Sequence, residues 1–591
     1  MQPSLHCTTH TQDKREARAN LAKEEKFASS SFEKRNEHIT LFFEEYDIVL
    51  FPKEYEICST MTFPYWLSKL YYNQMNAVSL PIAVLFFLSI IWGCNSKVEN
   101  HGSTYYVDAN QGNDKNDGLG KDRAWKTLDK VNGFKYHPGD SILFRSGSKW
   151  DGQLEINCSG TREFPIVFSQ YGERHKPGIY GNGEKKYTIR ILNSSYTEVN
   201  GFEVTNMGDS IQGGRYGVLM HADNEGEIYQ SVLRNIDVHS VNGDPIKKNG
   251  GGGGIVWKIS GEIPSRFVDA VIEGCHVYDC VRNGIVSKSA YAGKKYQGKK
   301  EYYSQGMKIR NNLIERIPGD GIIIQGCDSA LVEYNTCRDF TDDLPDVDKN
   351  AAAGIWPWNS LNTIIQYNEV SGHKASWDGQ GFDSDWNCDG TIIQYNYSHD
   401  NAGGFILICS NGKSGYNNNT TVRYNISVND GYRTWGRGEN FCPSIHIGGN
   451  VRNTRIYNNT IYTRLKPEST DKKFIVARNW GGWADSTFVY NNIFFAADTT
   501  DFDMGKSRNN YFSNNFYSAN TILPDDISPV TGDPWFANPG FDNKDVLNYK
   551  LAHGSPAIGA GKIIKDNGGK DYFGNIVVTD LPPNIGADNS N

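Results

Sequence analysis

Proline is scarce beside glycine, 21 residues against 61 in a chain of 591. Glycine at that level without matching proline excludes a collagen repeat, and 13% aromatics with an ordinary 22% of charged residues exclude a disordered chain. Excess positive charge is also lacking: 60 Lys and Arg stand against 68 Asp and Glu, a formal net charge of −8. A protein that grips phosphates through bulk charge is therefore not expected, and nucleic acid is not an expected partner. Cysteines number eleven and are scattered. Cys7, Cys58 and Cys94 fall in or at the end of the leader, and Cys275 and Cys280 are too isolated for a zinc knuckle. Most of the other cysteines sit in apolar contexts and read as small buried hydrophobes. Long apolar runs are absent with one exception.

That exception is MNAVSLPIAVLFFLSIIWGC, from Met75 to Cys94, with Lys69 upstream and polar residues after it. The arrangement is that of a secretory segment, and Ile91-Trp92-Gly93-Cys94 resembles the cleavage box of bacterial lipoproteins, which implies lipidation at Cys94. A plain membrane anchor is the alternative, although the run is short for a full span. Residues 61–94 are thus expected to be a signal and lipoprotein segment, and residues 1–60 an upstream extension outside the fold. The expected location is an exported, membrane-anchored bacterial lipoprotein, on the periplasmic side or at the outer-membrane surface.

Internal repetition dominates the rest. A Tyr-Asn pair follows a short apolar strand at Tyr334, Tyr367, Tyr395, Tyr424, Tyr457 and Tyr490, at spacings of 33, 28, 29, 33 and 33 residues. Most units also carry a strand opened by glycine, as in GIVWK (254–258), GIIIQ (321–325) and GFDSD (381–385). Three short strands cannot form a core alone, but stacked coils bury one continuous apolar column and ladder their asparagines. The pattern predicts an all-β, right-handed parallel β-helix over 104–495. A propeller would need four strands per blade. The amphipathic stretch Trp125–Val131 is predicted to be an N-terminal capping helix, and 496–591 an irregular C-terminal closing segment. On these repeats and on GDPWFANPGF (532–541) and LAHGSPAIGAG (551–561), residues 104–588 are similar to pectate-lyase-like right-handed β-helix proteins of polysaccharide-degrading bacteria. The resemblance implies an exported, monomeric, carbohydrate-active protein. It extends in setting to the oligosaccharide dehydratases of ulvan-degrading marine bacteria, though no catalytic motif matches residue by residue.

Side chains alternate across a strand, so a site can be sought in the units aligned on their opening glycine. The residue after glycine (Val218, Ile255, Ile285, Ile322, Ile355, Phe382, Phe405) should point inward. The second and fourth should point outward: Leu219, Val256, Val286, Ile323, Trp356, Asp383, Ile406, and His221, Lys258, Lys288, Gln325, Trp358, Asp385, Ile408. His446 and Arg478 continue this face. Two Trp beside two Asp suggest a carbohydrate groove, with Trp356, Trp358, Lys258, Gln325, Arg437 and Arg478 as binding residues. The insertions 341–353, 372–380 and 429–444 flank it, as functional loops on a rigid scaffold do. Asp342, Asp343, Asp346 and Asp348 could bind calcium through oxygen ligands, although a solvated acidic turn reads better. No other cofactor is expected.

Asp383 and Asp385, two apart on one strand, have β-carbons roughly 6.5–7 Å apart, close enough to push their pKa values apart for glycoside hydrolysis. Cations on the same face suit a second chemistry, β-elimination across C4–C5 of a uronic acid by a lyase or dehydratase, with Lys288, His446 or His399 as base. Elimination on an acidic polysaccharide is the first expectation. Hydrolysis, or a non-catalytic polysaccharide-binding surface protein, is the alternative.

Overall fold

The computed structural model describes residues 102–590, apart from 174, 414, 465–471 and 540–544. The lipidation candidate Cys94, with the rest of the leader, lies outside the described residues.

The chain winds into a right-handed parallel β-helix with three long sheets of 16, 12 and 14 strands. A typical coil places Ile392–Gln394 on the first sheet, Tyr397–His399 on the third and Gly404–Cys409 on the second. The Tyr-Asn pairs make the corner between the first two of these strands. Tyr334, Tyr367, Tyr395 and Tyr424 adopt left-handed backbone, φ 50–56°, which turns the chain sharply and aims the next side chain into the column. That side chain is always asparagine. Asn312, Asn335, Asn368, Asn396, Asn425, Asn459, Asn492 and Asn515 are buried, and each of the first seven donates Nδ2 to the Oδ1 of the next at 2.9–3.0 Å, while Asn515 ends the ladder by donating to Asp526 at 2.8 Å. Each amide also satisfies backbone groups that a buried corner would otherwise orphan. Replacing Asn396 by alanine should therefore cost about 2–4 kcal/mol in denaturant unfolding, because Asn368 loses the acceptor of its backbone and side-chain N–H groups.

The predicted inward column holds, with Val218, Ile255, Ile285, Ile322, Ile355 and Phe382 all 0% exposed in the main core. Burial of this continuous column is what makes each coil depend on its neighbours. No disulfide joins the eight described cysteines, and seven of them are buried. The column is closed at its start by Trp125 and a short helix, Leu128–Asn132, capped where Thr127 accepts from the Lys130 amide; Leu128 and Val131 face inward. At the other end, paired strands run past residue 495 as far as Val530–Thr531, so the irregular stretch begins later than the repeat spacing suggested. Its Phe536, Tyr549, Ala557 and Ile585 then cover Tyr397, Ile426, Tyr462 and Ile493 in a separate apolar cluster on the outer side of the 14-stranded sheet.

Candidate active site

The outer face of the 12-stranded sheet carries the acidic residues. Strand pairing sets Leu219, Val256, Val286, Ile323 and Trp356 in one file. Ile355 pairs with Phe382, so Asp383 continues the file, followed by Leu407 and His446. One step differs from the glycine alignment. Phe382 pairs with Ile406 rather than Phe405, because Gly404 pairs with Gln380 and not with Gly381, which sets the strand one residue along. Leu407 and Cys409, not Ile406 and Ile408, therefore share the outer face with the aspartates. His446 lies two rungs from Asp383, about 10 Å at the usual strand spacing.

Three carboxyls act on one another here: Asp378, Asp383 and Asp385. Asp383 is 3% exposed, and its Oδ1 is without a protein partner. Burial, then Asp378 and Asp385, push its pKa well above the usual carboxylate range. Asp378 and Asp385 are half-buried and keep contact with solvent. Burial and then the charge of Asp385 push Asp378 up to about 7, with Lys247 and Arg433 opposing. Burial pushes Asp385 up to about 6, less far because it accepts from the Cys409 thiol at 3.0 Å and from the Trp386 amide at 2.7 Å. Two accessible carboxyls held at different pKa values near neutrality can serve as an acid and a base.

Asp378 is the residue that the sequence pattern did not single out. It sits in the 372–380 insertion, five residues before Asp383, and its backbone is pinned rather than loose. Arg433, buried on the 429–444 insertion, donates to the carbonyls of Ala375 at 3.1 Å and Asp378 at 2.6 Å. Gly403 packs so tightly that a β-carbon there would come within 1.7 Å of the Asp378 carbonyl oxygen. An acid placed between Trp377 and Gly379, directly before an acidic strand, was the available signal. The floor was also missed. Buried Asp320 pairs with buried Arg282 at 3.2 Å and accepts from Trp356 Nε1 at 3.1 Å and the Ala353 amide at 3.2 Å. Lys247 reaches Asp320 at 3.9 Å and lies 5.5 Å from the Trp356 ring.

The expected binding residues divide. Trp356 is buried as part of the floor, whereas Trp358 is half-exposed and edge-on to Trp386 at 6.3 Å. Gln325 is buried and accepts from the Ser289 amide, so it is an internal bond rather than a groove residue. Lys258, four rungs from Asp383, lines a 270 Å³ cleft with His221, Arg190 and Lys186. Arg478 pairs with Asp503 at 2.6 Å and stacks over Phe441. Arg437 pairs with Asp346 and Asp348 and lies over Trp377. That cation occupies two of the four aspartates considered for calcium, and among the described residues no group of three or more His, Cys, Asp or Glu is placed to hold a metal.

The expected bases fare worse. Lys288 is turned into the cover of the sheet, donating to the Gly250 carbonyl at 2.9 Å over the Tyr216 ring, and burial lowers it to about 8. His399 belongs to the 14-stranded sheet, away from the aspartates. It is held by Asp400 at 2.8 Å and Glu369 at 3.2 Å, which outweigh burial and raise it to about 9. His446 does share the face. It is buried between the edges of Phe441 and Trp480, its Nε2 without a protein partner, and burial followed by Arg478 lowers it to about 3. Gly448 makes room for that indole, since a β-carbon would meet Trp480 at 2.8 Å. A neutral imidazole in such a slot can hydrogen-bond a hydroxyl, but it does not cycle protons at neutral pH.

Comparison with known proteins changes the order of the two chemistries. No family model matches the chain. It is 29% identical over 515 residues to a lacto-N-biosidase of Bifidobacterium longum subsp. longum, an alignment covering 72% of this chain and 31% of that protein. The chain thus spans about a third of the length of that curated relative. Among solved structures, the lacto-N-biosidase of Eubacterium ramulus, of glycoside hydrolase family 136, is 26% identical over 70% of this chain and 73% of its own, with a TM-score of 0.53. Its native crystal form gives 27% identity over 64% and 67%, with a TM-score of 0.54. These relatives are glycoside hydrolases, and that finding overturns uronic-acid elimination as the leading expectation. The physical reason agrees with it: the residues expected to act as bases are buried, paired or on another sheet, while the accessible titrating groups are carboxyls.

Proposed function

We propose that the chain is a glycoside hydrolase that cleaves oligosaccharides at Asp378 and Asp385. The observation that carries this reading is the pairing of two half-buried carboxyls whose pKa values are pushed to about 7 and about 6, in a chain similar to lacto-N-biosidases. Asp378, with the higher value, holds its proton where Asp385 has lost one, so Asp378 protonates the glycosidic oxygen as the bond to C1 breaks. Asp385 either attacks C1 or takes a proton from the water that does. Trp358 and Trp386 offer ring faces and edges for a pyranose, and the charge of Asp385 helps to keep Asp378 protonated.

The test begins with oligosaccharides carrying the lacto-N-biose unit after which the relatives are named. Mass spectrometry should show two fragments whose summed mass exceeds the substrate by one water. An unsaturated, ultraviolet-absorbing fragment without added water would instead be elimination and would end the proposal.

A further inference from the structure

A pocket outside the carboxylate cluster lies among the three inserted loops, a space of about 630 Å³ lined by Trp435, Tyr432, Lys374, Ser376, Asp342 and Asp346. That volume falls in the range of small-molecule sites. Trp435 is 38% exposed, and its ring lies 6.0 Å from Tyr432 at 54°. The pocket therefore offers two aromatic surfaces in different planes. Around them stand an ammonium and carboxylates, and among the described residues neither Lys374 nor Asp342 makes an ion pair. Aromatic surface bordered by both kinds of hydrogen-bonding charge is the chemistry of a hydroxyl-rich ring. With Asp346 paired to Arg437 and Lys374 set beside Asp342, the pocket favours neither sign of charge, and an apolar ligand would leave the charges desolvated.

The pocket wall belongs to the same loop that carries the proposed acid. Ser376 is two residues from Asp378, so their α-carbons are within about 7 Å. The Gly438 amide donates to the Ser376 carbonyl at 2.8 Å, and Arg433 ties the same two loops together through Ala375 and Asp378. A sugar that bridges Trp435 and Lys374 would thus be contiguous with the cleavage point.

We propose that this pocket is a second saccharide-binding site, which holds uncharged sugar units of the same oligosaccharide beyond the cleaved bond. The inference rests on the hydrolase reading for its role, but the site can be tested apart from it. Trp435→Ala is compared with wild type on an aryl glycoside of lacto-N-biose and on oligosaccharides of increasing length. The expected result is a loss of about tenfold in kcat/KM on the long substrates, from the missing aromatic contact, with less than a twofold change on the aryl glycoside. An equal loss on short and long substrates, or no loss on either, overturns the proposal. Lys374→Met should repeat the length dependence, and unchanged unfolding midpoints show that both variants fold. If wild type cleaves none of these substrates, the hydrolase reading fails, and calorimetric titration with the long oligosaccharide decides the site alone. Binding that Trp435→Ala weakens supports the pocket, and the absence of binding by wild type overturns it.

Discussion

Asp385→Asn should leave a folded protein that still binds its oligosaccharide but hydrolyses it roughly 10³–10⁵-fold more slowly, the scale of loss when a group that reacts in the transition state is removed. The amide keeps the shape and the contacts to Cys409 and the Trp386 amide, so binding measured by calorimetry should change little. Asp378→Asn should show a different signature. Without a proton donor, cleavage of a sugar leaving group should collapse, whereas an aryl glycoside, whose phenolate departs unaided, should lose far less. The pH profile separates the roles further. Wild-type activity should rise as the pair first ionises near pH 6 and fall as it loses its second proton near pH 7. Asp378→Asn should remove the alkaline limb. Full turnover by either variant on the natural linkage would remove the carboxyls from the mechanism.

The same groups carry a cost in stability. Their folded pKa values lie above the unfolded value of about 3.8, so the folded protein holds extra protons from about pH 4 to about pH 7, and stability declines as pH rises through that window. Asp385→Asn should therefore raise the unfolding midpoint at pH 8 and give no gain at pH 4. Activity and stability trade against each other at this one residue.

Asp320→Ala should be the most destabilising change at the site. It strands the Arg282 guanidinium at a position with no exposure and removes the acceptor of Trp356 Nε1 and the Ala353 amide. Breaking one side of such a pair costs about 3–5 kcal/mol, mostly as an uncompensated buried charge. Denaturant unfolding should show that loss, and replacing both partners by apolar residues of similar size (Arg282→Met with Asp320→Leu) should restore most of it. If Asp320→Ala unfolds like wild type, the floor is not held by this pair. Activity should fall with the single variant as well, because Trp356 and Lys247 both rest on Asp320 beneath the reacting carboxyls.

What could be read from the chain alone was everything that repeats. Tyr-Asn pairs, opening glycines and apolar alternation recur because every coil solves the same problem of turning a corner and filling a column, so one unit reports on all. Phe382 inward and Asp383 outward follow from that periodicity, as does the placing of His446 two rungs on. Departures from the repeat were invisible for the same reason. The one-residue offset at Gly404, which pairs with Gln380 rather than Gly381, changes which side chains face out without altering the pattern before it. Asp378, Lys247 and Arg433 arrive from loops of unrelated length, and only the folded path brings them beside Asp385. Whether Lys288 or His399 can act as a base depends on which carbonyls and carboxylates surround it, and residue type is silent on that. Local stereochemistry and burial determined the scaffold, because they act between neighbours one coil apart. The chemistry was decided by tertiary structure, because a carboxyl's proton affinity is set by the charges and solvent that the fold gathers around it.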